Sequence, residues 1–189
     1  FFYNGGGDSQ DTTFKISKMA KELELPLTCI GIPKTVDNDL PITDCSPGFG
    51  SVAKYVATST LEAGLDVKSM SETSTKVFIL EVMGRHAGWI AAASALASTN
   101  ETDPPHIILM PEVSFVKKKC IDKVKQTVAN EGFCVVVASE GTRYKNGMFL
   151  ADSGLTDAFG HKQLGGVAPV LAQMVSSIGL KNHLSLIHI

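Results

Sequence analysis

Arginine and paired cysteines are scarce in this sequence. Arginine supplies two of the 17 basic residues, and 19 acidic residues bring the net charge to −2. A protein that neutralises many nucleic-acid phosphates is usually more basic, so we expect no nucleic-acid partner. The four cysteines form no CxxC pair. This absence favours reduced thiols in a cytoplasmic protein over a disulfide framework or a zinc site.

Long apolar runs and repeats are missing as well. The longest apolar run, near Trp89, is too short to cross a bilayer, so we expect no membrane span. The 17 glycines and 8 prolines follow no fixed period, which excludes a collagen-like chain. With 44% hydrophobic residues among 189, the chain can fill a core, and disorder is excluded as its main state.

The two ends of the chain are unusual. It begins at Phe1, without a methionine, inside a predicted strand. Its last six residues, 184–189, look like translated adaptor DNA from a sequencing library. We therefore expect residues 1–183 to be an internal piece of a longer protein, and residues 184–189 to be a non-native tail that the fold prediction does not include.

Short apolar runs rich in β-branched residues alternate with longer helical patterns. The predicted strands are 1–3, 27–32, 77–82, 107–110 and 133–138, and the predicted helices are 9–23, 50–65, 87–97 and 116–130. Such alternation is typical of an α/β protein, and continuous apolar strands are typical of a parallel sheet covered on both faces. We therefore predict a three-layer α/β sandwich with a mostly parallel sheet.

Several side chains carry predictions about packing. Ser9 is the predicted N-cap of the first helix. Trp89 is predicted to lie in the core, and lysines 117–119 are predicted to form a solvated helix face. The apolar residues of the first helix that recur at a helical period, and so are predicted to face inward, are Phe14, Ile16, Met19, Ala20 and Leu23.

The loop after the first strand, residues 5–9, reads GGGDS and opens into a helix. Ligands of parallel sheets lie beyond the carboxyl ends of the strands. Glycines allow close approach to an anion, and the helix start offers free N–H groups, although an ordinary strand-to-helix turn has the same composition. The loop matches neither the P-loop nor the GxGxxG pattern. At a phosphate site, Asp8 would hold a metal or repel a third phosphate.

The loop after the second strand, residues 33–39, reads PKTVDND. Its carboxylates and its lysine supply what phosphoryl transfer needs, namely a base for a hydroxyl proton and a cation for the transferring oxygens. The other reading is a solvated loop, since Asx-rich loops are common.

Two later loops add an arginine and a carboxylate. Residues 83–88 read MGRHAG, and Arg85 is placed either to fork onto a phosphate or to pair with Glu81 at a helix start. His86 is either a base or a structural histidine. Residues 139–141 read SEG, in which Glu140 either accepts a hydrogen bond from a sugar hydroxyl or caps a helix.

The order of these loops is more specific than any one of them. The succession GGGDS, PKTVDND, MGRHAG, SEG and GHKQLGG (residues 160–166) resembles the phosphofructokinase family over about residues 1–183. The resemblance implies a glycolytic α/β enzyme that moves a phosphoryl group to the 1-hydroxyl of fructose 6-phosphate in a cleft between two domains. It also implies Mg²⁺ as the metal, a cytoplasmic location, and a homo-oligomer, either a dimer or a tetramer.

The resemblance also implies roles for individual residues. Asp37 matches the family's base, which takes the hydroxyl proton. The family also has a phosphate-binding basic residue that reaches in from a neighbouring subunit, and its position in the sequence falls near Lys76. The contacts to the sugar and its phosphate fall on Thr35, Asp39, Lys76, Met83, Gly84, Arg85 and Glu140. The contacts to the phosphoryl donor fall on Gly6, Gly7, Asp8 and Ser9, and Asp8 is also the implied metal ligand.

Two positions decide the phosphoryl donor. Family members that use ATP carry GGDG and PGTIDND, whereas this chain has Asp8 and Lys34 in place of two of those glycines. That pairing marks the pyrophosphate-dependent members. Asp8 would occupy the place of the ATP α-phosphate and repel it, and Lys34 would stabilise charge on the pyrophosphate being cleaved. The implied catalytic residues are therefore Asp37, Lys34 and Asp8, and the implied substrates are fructose 6-phosphate and pyrophosphate.

The chain departs from the family's ATP-using members at two further positions. Gly7 stands where they place a metal-binding Asp, and Leu164 stands where many bacterial ones have an arginine. The family's N-terminal donor loop and C-terminal sugar-phosphate residues fall outside the chain, so we expect the chain by itself to be inactive.

Three other functions compete with this interpretation. An ATP-dependent phosphofructokinase is disfavoured by Asp8 and Lys34. A catalytically silent regulatory subunit is disfavoured by the intact Asp37, Asp39 and Arg85. A dinucleotide-binding oxidoreductase is disfavoured because the chain lacks GxGxxG with an acidic residue about 20 positions later.

Overall fold

Strands and helices alternate along the chain. The computed structural model describes residues 1–156 and 162–187, and these residues divide between two compact units, Phe1–Gly50 and Ser51–Ile189. The helices are α1 (Gly7–Glu22), α2 (Phe49–Met70), α3 (Trp89–Ala93, followed by a 3₁₀ turn at Ser94–Ala97), α4 (Lys117–Glu131) and α5 (Val167–Ser176). The strands are β1 (Phe2–Gly5), β2 (Ile30–Pro33), β3 (Val77–Val82), β4 (Ile107–Leu109), β5 (Cys134–Ser139), β6 (Asp152–Thr156), β7 (Lys162–Leu164) and β8 (Asn182–Ile187).

The first unit is built on a parallel pair of strands, β1 and β2, with α1 directly after β1. The N-cap of α1 is Gly6, so the prediction of Ser9 as the cap is wrong. The strand-to-helix turn is tight, because a Cβ added at Gly5 would lie 2.5 Å from the Cβ of Ser9. The helix therefore begins before Ser9, which lies in its first turn.

The predicted inward face of α1 is also largely wrong. Of the five predicted residues, Phe14, Met19 and Leu23 are about two-thirds exposed, at 68%, 60% and 61%, whereas Ala20 is buried and Ile16 is half-buried. Thr13, which was not predicted to face inward, is buried as well. A sheet of two strands covers only a narrow strip of a helix, so small residues suffice to fill the contact.

The second unit contains an all-parallel sheet in the order β4-β5-β3-β8 and an antiparallel pair, β6 and β7. The central strands pair from Val77 with Cys134 to Val82 with Ser139. All six residues of β5 are buried, and five of the six residues of β3 are buried. These are the continuous apolar runs that the sequence predicted, and the α/β class with parallel sheets is confirmed.

The core of the second unit lies between this sheet and the helices α4 and α5. Val124 on α4 and Leu171 on α5 pack against β3 and β5. Lysines 117–119 are exposed on α4, as predicted. Trp89 is 57% exposed, so its predicted place in the core is wrong. It is the first residue of a five-residue helix whose buried face is formed instead by Ile90, Ala91 and Ala93.

Two of the four cysteines lie in this core. Burial raises the pKa of the Cys120 thiol to about 11 and that of the Cys134 thiol to about 12. Both thiols therefore stay protonated at neutral pH, and all four cysteines are reduced, as the sequence predicted.

Strand β8 includes residues 184–187, which the sequence analysis set apart as a tail. In the structure they pair in parallel with β3, from Leu184 opposite Ile79 to Ile187 opposite Val82. These residues therefore form most of β8, and their non-native origin stays a prediction. Residues 188–189 lie outside the described residues. Among the helices that are described, none is long and apolar enough to cross a membrane.

Candidate active site

The loops that follow β1 and β2 lie side by side in the first unit. Gly5 pairs with Pro33 across the two strands, and the N–H of Lys34 donates to the carbonyl of Gly5 at 2.8 Å. The carboxyl ends of β1 and β2 therefore meet at one edge. Asp8, in the first turn of α1, and Lys34 are both exposed near this edge.

Gln10 ties the two strand ends together, and the sequence analysis did not identify it. Its Nε2 donates to the carbonyl of Gly5 at 3.0 Å and to the carbonyl of Ile32 at 3.1 Å. Gly31 makes room for this side chain, since a Cβ there would collide with the Gln10 Oε1. The only sequence signal is a polar residue in the first turns of a helix that starts at a glycine-rich loop.

The segment 35–39 is held by its own side chains. The Thr35 Oγ1 accepts a hydrogen bond from the N–H of Asp37 at 3.0 Å. Asn38 is buried and has a φ of 58°, and its Oδ1 accepts a hydrogen bond from the N–H of Ser46 at 2.8 Å. Its Nδ2 donates to the carbonyl of Asp44 at 3.3 Å. Asp37 is half-buried in this loop.

In the second unit, Met83, Gly84 and Arg85 follow β3, and Glu140 follows β5. The N–H of Glu140 donates to the carbonyl of Val82 at 2.9 Å, so Glu140 lies at the carboxyl end of β3. Arg85 and Glu140 are both half-buried. The structure therefore brings together the predicted sugar-phosphate and sugar-hydroxyl residues of this unit, apart from Lys76.

Lys76 lies at the opposite end of β3. Its Nζ donates to the carbonyl of Ser71 at 2.6 Å, at the C-terminal end of α2. The six residues of β3 separate it from Arg85 by about 20 Å, at the usual rise of a strand. Lys76 therefore does not join the other predicted residues of the second unit.

The structure also shows where the residues of the alternative interpretations lie, namely Glu81, His86 and the GHKQLGG loop. Glu81 does not act as the helix-start partner of Arg85 but is buried, and its Oε2 accepts a hydrogen bond from the N–H of Ala168 at 2.8 Å. His86 is exposed, with its ring centroid 6.2 Å from that of Phe149. The residues Gly160 and His161 of the GHKQLGG loop lie outside the described residues, and Leu164 ends β7.

The exposed carboxylate of Asp8 is the predicted metal ligand. No group of three or more His, Cys, Asp or Glu side chains within residues 1–156 and 162–187 could hold a metal ion. Mg²⁺ at phosphate sites usually takes one or two carboxylates together with substrate phosphates and water. A single exposed carboxylate in the first turn of a helix fits that kind of site.

Comparisons with known proteins identify the family of the chain. The phosphofructokinase family, by that description, matches residues 1–182. The pyrophosphate–fructose 6-phosphate 1-phosphotransferase of Halomonas elongata is 64% identical over 184 residues, which are 97% of this chain and 44% of that protein. The crystal structure of pyrophosphate-dependent phosphofructokinase from Marinobacter aquaeolei is similar with a TM-score of 0.74 at 59% identity, over 98% of this chain and 43% of that one. For the Nitrosospira multiformis structure of the same description, the TM-score is 0.75 at 56% identity, over 98% and 44%. The chain thus spans less than half the length of these relatives.

Proposed function

The chain belongs to the phosphofructokinase family, and on that premise we propose that the protein containing it transfers a phosphoryl group from pyrophosphate to the 1-hydroxyl of fructose 6-phosphate. The observation that carries the choice of donor is the contact between the loops of Asp8 and Lys34, where the N–H of Lys34 donates to Gly5. A carboxylate and a cation thereby stand at one strand edge. The pyrophosphate named for the Halomonas elongata relative supports the same donor.

In the proposed reaction, Asp37 accepts the proton of the 1-hydroxyl. The hydroxyl oxygen forms a bond to one phosphorus of pyrophosphate, the bridging P–O bond breaks, and phosphate leaves. Lys34 stabilises the charge that develops on the leaving phosphate. The products are fructose 1,6-bisphosphate and phosphate, and the same groups serve the reverse direction.

The remaining residues bind and orient the substrates. Arg85 forks onto the sugar phosphate, with Met83 and Gly84 shaping that loop, and Glu140 accepts hydrogen bonds from sugar hydroxyls. Thr35 contributes to substrate binding and also accepts the N–H of Asp37, which orients the base. Asp39 completes this loop.

The glycine-rich loop binds the phosphoryl donor, pyrophosphate, and its metal ion. Gly6, Gly7 and Ser9 present the start of α1 to pyrophosphate. Asp8 would hold Mg²⁺, which when bound supplies positive charge to the phosphate oxygens. The same carboxylate disfavours ATP through repulsion of its α-phosphate.

We also propose the setting of the enzyme. As a member of this family it acts in the cytoplasm, in glycolysis, as a homo-oligomer in which Lys76 contacts the sugar phosphate bound by a neighbouring subunit. Lys76 lies at the opposite end of β3 from Arg85 of the same chain. This position supports a role for Lys76 at the site of the neighbouring subunit.

The test is a donor assay on the whole protein that contains this chain, with fructose 6-phosphate and Mg²⁺. We expect turnover with pyrophosphate and not with ATP. Lys34→Gly should lower kcat with pyrophosphate by about 10²-fold or more, because it removes an electrostatic stabiliser of the transition state. Asp8→Gly combined with Lys34→Gly should lose turnover with pyrophosphate and should bind ATP more tightly in a direct titration, because the repulsion of the α-phosphate is removed.

Lys118→Ala is the matched control, since this lysine is exposed on α4, and it should leave kcat unchanged. Turnover with ATP alone would keep the family but contradict the donor argument from Asp8 and Lys34. Turnover with neither donor would favour the catalytically silent subunit.

A further inference from the structure

Strand β5 ends at a serine with a fully buried side chain. Ser139 has no exposed surface, and its Oγ donates to the carbonyl of Gly84 at 2.5 Å. The same oxygen accepts a hydrogen bond from the N–H of Gly141 at 3.1 Å. One hydroxyl therefore connects the loop that follows β3 to the loop that follows β5.

At each of the two glycines that it joins, a side chain would collide with the neighbouring backbone. Gly84 has a φ of 118°, and a Cβ there would collide with the carbonyl oxygen of Ala87. A Cβ at Gly141 would lie 2.5 Å from the carbonyl carbon of Arg85 and 2.8 Å from its Cα. These are backbone atoms, which cannot move aside as a flexible side chain does.

The loop that carries Arg85 is held a second time at its other end. The Oε1 of Glu112, in the segment after β4, accepts a hydrogen bond from the N–H of Gly88 at 2.8 Å. Ser139 and Glu112 thus hold the loop at Gly84 and at Gly88, before and after Arg85.

We propose that Ser139 is a positioning residue that sets Arg85 and Glu140 at a fixed separation for binding the sugar phosphate and sugar hydroxyls. This inference rests on the proposed function for the ligand that the two side chains bind. Without the hydroxyl, the Gly84 carbonyl loses its donor and the Gly141 N–H loses its acceptor, and both groups are buried. The loops would then move apart so that these two groups can form other hydrogen bonds. The distance between Arg85 and Glu140 would change, and Arg85 would bind the sugar phosphate less well.

The test compares Ser139→Ala with Ser94→Ala in the whole protein. Ser94 is an equally buried serine whose Oγ donates to the carbonyl of Ala91 at 2.5 Å, within a helical segment of the same unit. Ser94→Ala should lower Tm by about 2 °C, the shift typical of losing one buried hydrogen bond, and Ser139→Ala, which loses two, should lower it by about twice as much. Only Ser139→Ala should raise KM for fructose 6-phosphate, by about tenfold, while KM for pyrophosphate changes less than about twofold.

Ser139→Thr retains the hydroxyl and should restore most of the affinity for fructose 6-phosphate. If Ser139→Ala lowers Tm but leaves KM for fructose 6-phosphate unchanged, Ser139 is merely structural and the proposal is wrong.

A second measurement separates this proposal from the proposed function. Hydrogen exchange followed by mass spectrometry should show faster exchange over residues 83–88 and at the amide of Gly141 in Ser139→Ala, and not in Ser94→Ala. If the parent protein turns over no fructose 6-phosphate, the function has failed, and this exchange still decides whether Ser139 holds the loop. Unchanged exchange in Ser139→Ala would overturn the positioning role whatever the substrate.

Discussion

Asn38 has a backbone conformation that most residues adopt only with strain. Its φ of 58° lies in the left-handed region, which Asn tolerates better than most non-glycine residues. Its side-chain amide also connects the loop that contains Asp37 to Asp44 and Ser46. The backbone conformation and the side chain of Asn38 thus contribute separately to the free energy of unfolding. Two substitutions together can distinguish the two contributions.

We expect Asn38→Gly to lose the amide contacts and to keep the backbone conformation, whereas Asn38→Ala loses both. Asn38→Gly should lower the free energy of unfolding by about 1–2 kcal/mol, and Asn38→Ala by about 1–2 kcal/mol more. Both should lower kcat, because Asp37 and Asp39 adjoin the residue. Urea denaturation and steady-state kinetics measure the two effects.

Glu24 offers a matched control for Asn38, since it is exposed and has a φ of 51°. Glu24→Gly should relieve strain and leave kcat unchanged. Equal losses of stability in Asn38→Gly and Asn38→Ala would show that the backbone conformation contributes nothing.

The candidate site residues can be recognised in the sequence, but the residues that hold their loops in place cannot. Asp37, Arg85 and Glu140 are visible as charged residues after apolar strands, because parallel strands place such residues at one edge. Gln10 and Ser139 act instead through the backbone carbonyls of Ile32 and Gly84, which are distant from them in the sequence. Such contacts leave no periodic or compositional pattern in the sequence, so only the structure reveals them.

At the scale of elements, Glu81 connects β3 to α5. It is a buried carboxylate on the central strand, and its Oε2 accepts the N–H of Ala168 in the first turn of α5. A carboxylate at a helix start satisfies a free N–H group and interacts favourably with the helix dipole. The GHKQLGG loop runs directly into this helix.

We expect Glu81→Ala to lower the free energy of unfolding by about 2 kcal/mol or more, because it leaves the N–H of Ala168 buried without its acceptor. Glu81→Gln keeps an oxygen at the same place and should lose about 1 kcal/mol or less, the dipole contribution alone. Chemical denaturation of both variants makes the comparison. Equal losses would indicate that the charge, and not the acceptor, stabilises this contact.

The elements themselves were predicted unevenly. Strand β3 was predicted at its observed bounds, because a run of β-branched residues buried on both faces has few other interpretations. In helix α1, three of the five residues predicted to face inward, Phe14, Met19 and Leu23, are exposed. Its apolar residues have helical spacing, but only the narrow strip around Thr13 and Ala20 meets the strands of its unit. Periodicity shows which face is apolar and not how much of that face a partner covers.

At the scale of the whole molecule, stability should depend on pH through His106. Its Nδ1 accepts a hydrogen bond from the N–H of Val135 at 2.9 Å, which requires the neutral ring. Burial lowers the pKa of His106, while the carbonyl of Thr102 and the charges of Glu131 and Asp103 oppose the shift. The charge of Lys123 adds to the lowering.

A histidine whose pKa is lower in the folded state binds its proton preferentially when the chain is unfolded. The free energy of unfolding should therefore be highest above about pH 6.5 and fall as the pH decreases below it, by at most about 1.4 kcal/mol per pH unit. His106→Asn keeps an acceptor near the same place without a titrating group, and should flatten this part of the profile. Urea denaturation between about pH 5 and 8 measures it. A profile that is unchanged in the variant would contradict the role of His106.

Strand β3 combines several tasks described above. It pairs with β5 and β8, it directs Glu81 to α5, and it ends just before Arg85. Adding one residue within it would turn every following side chain to the opposite face and advance Arg85 by about 3.3 Å. Exchanges among valine, isoleucine and leucine keep both the alternation and the length. The identities of the residues in β3 can therefore vary during evolution far more freely than the length of the strand. Among related proteins, insertions in this strand should be rarer than substitutions.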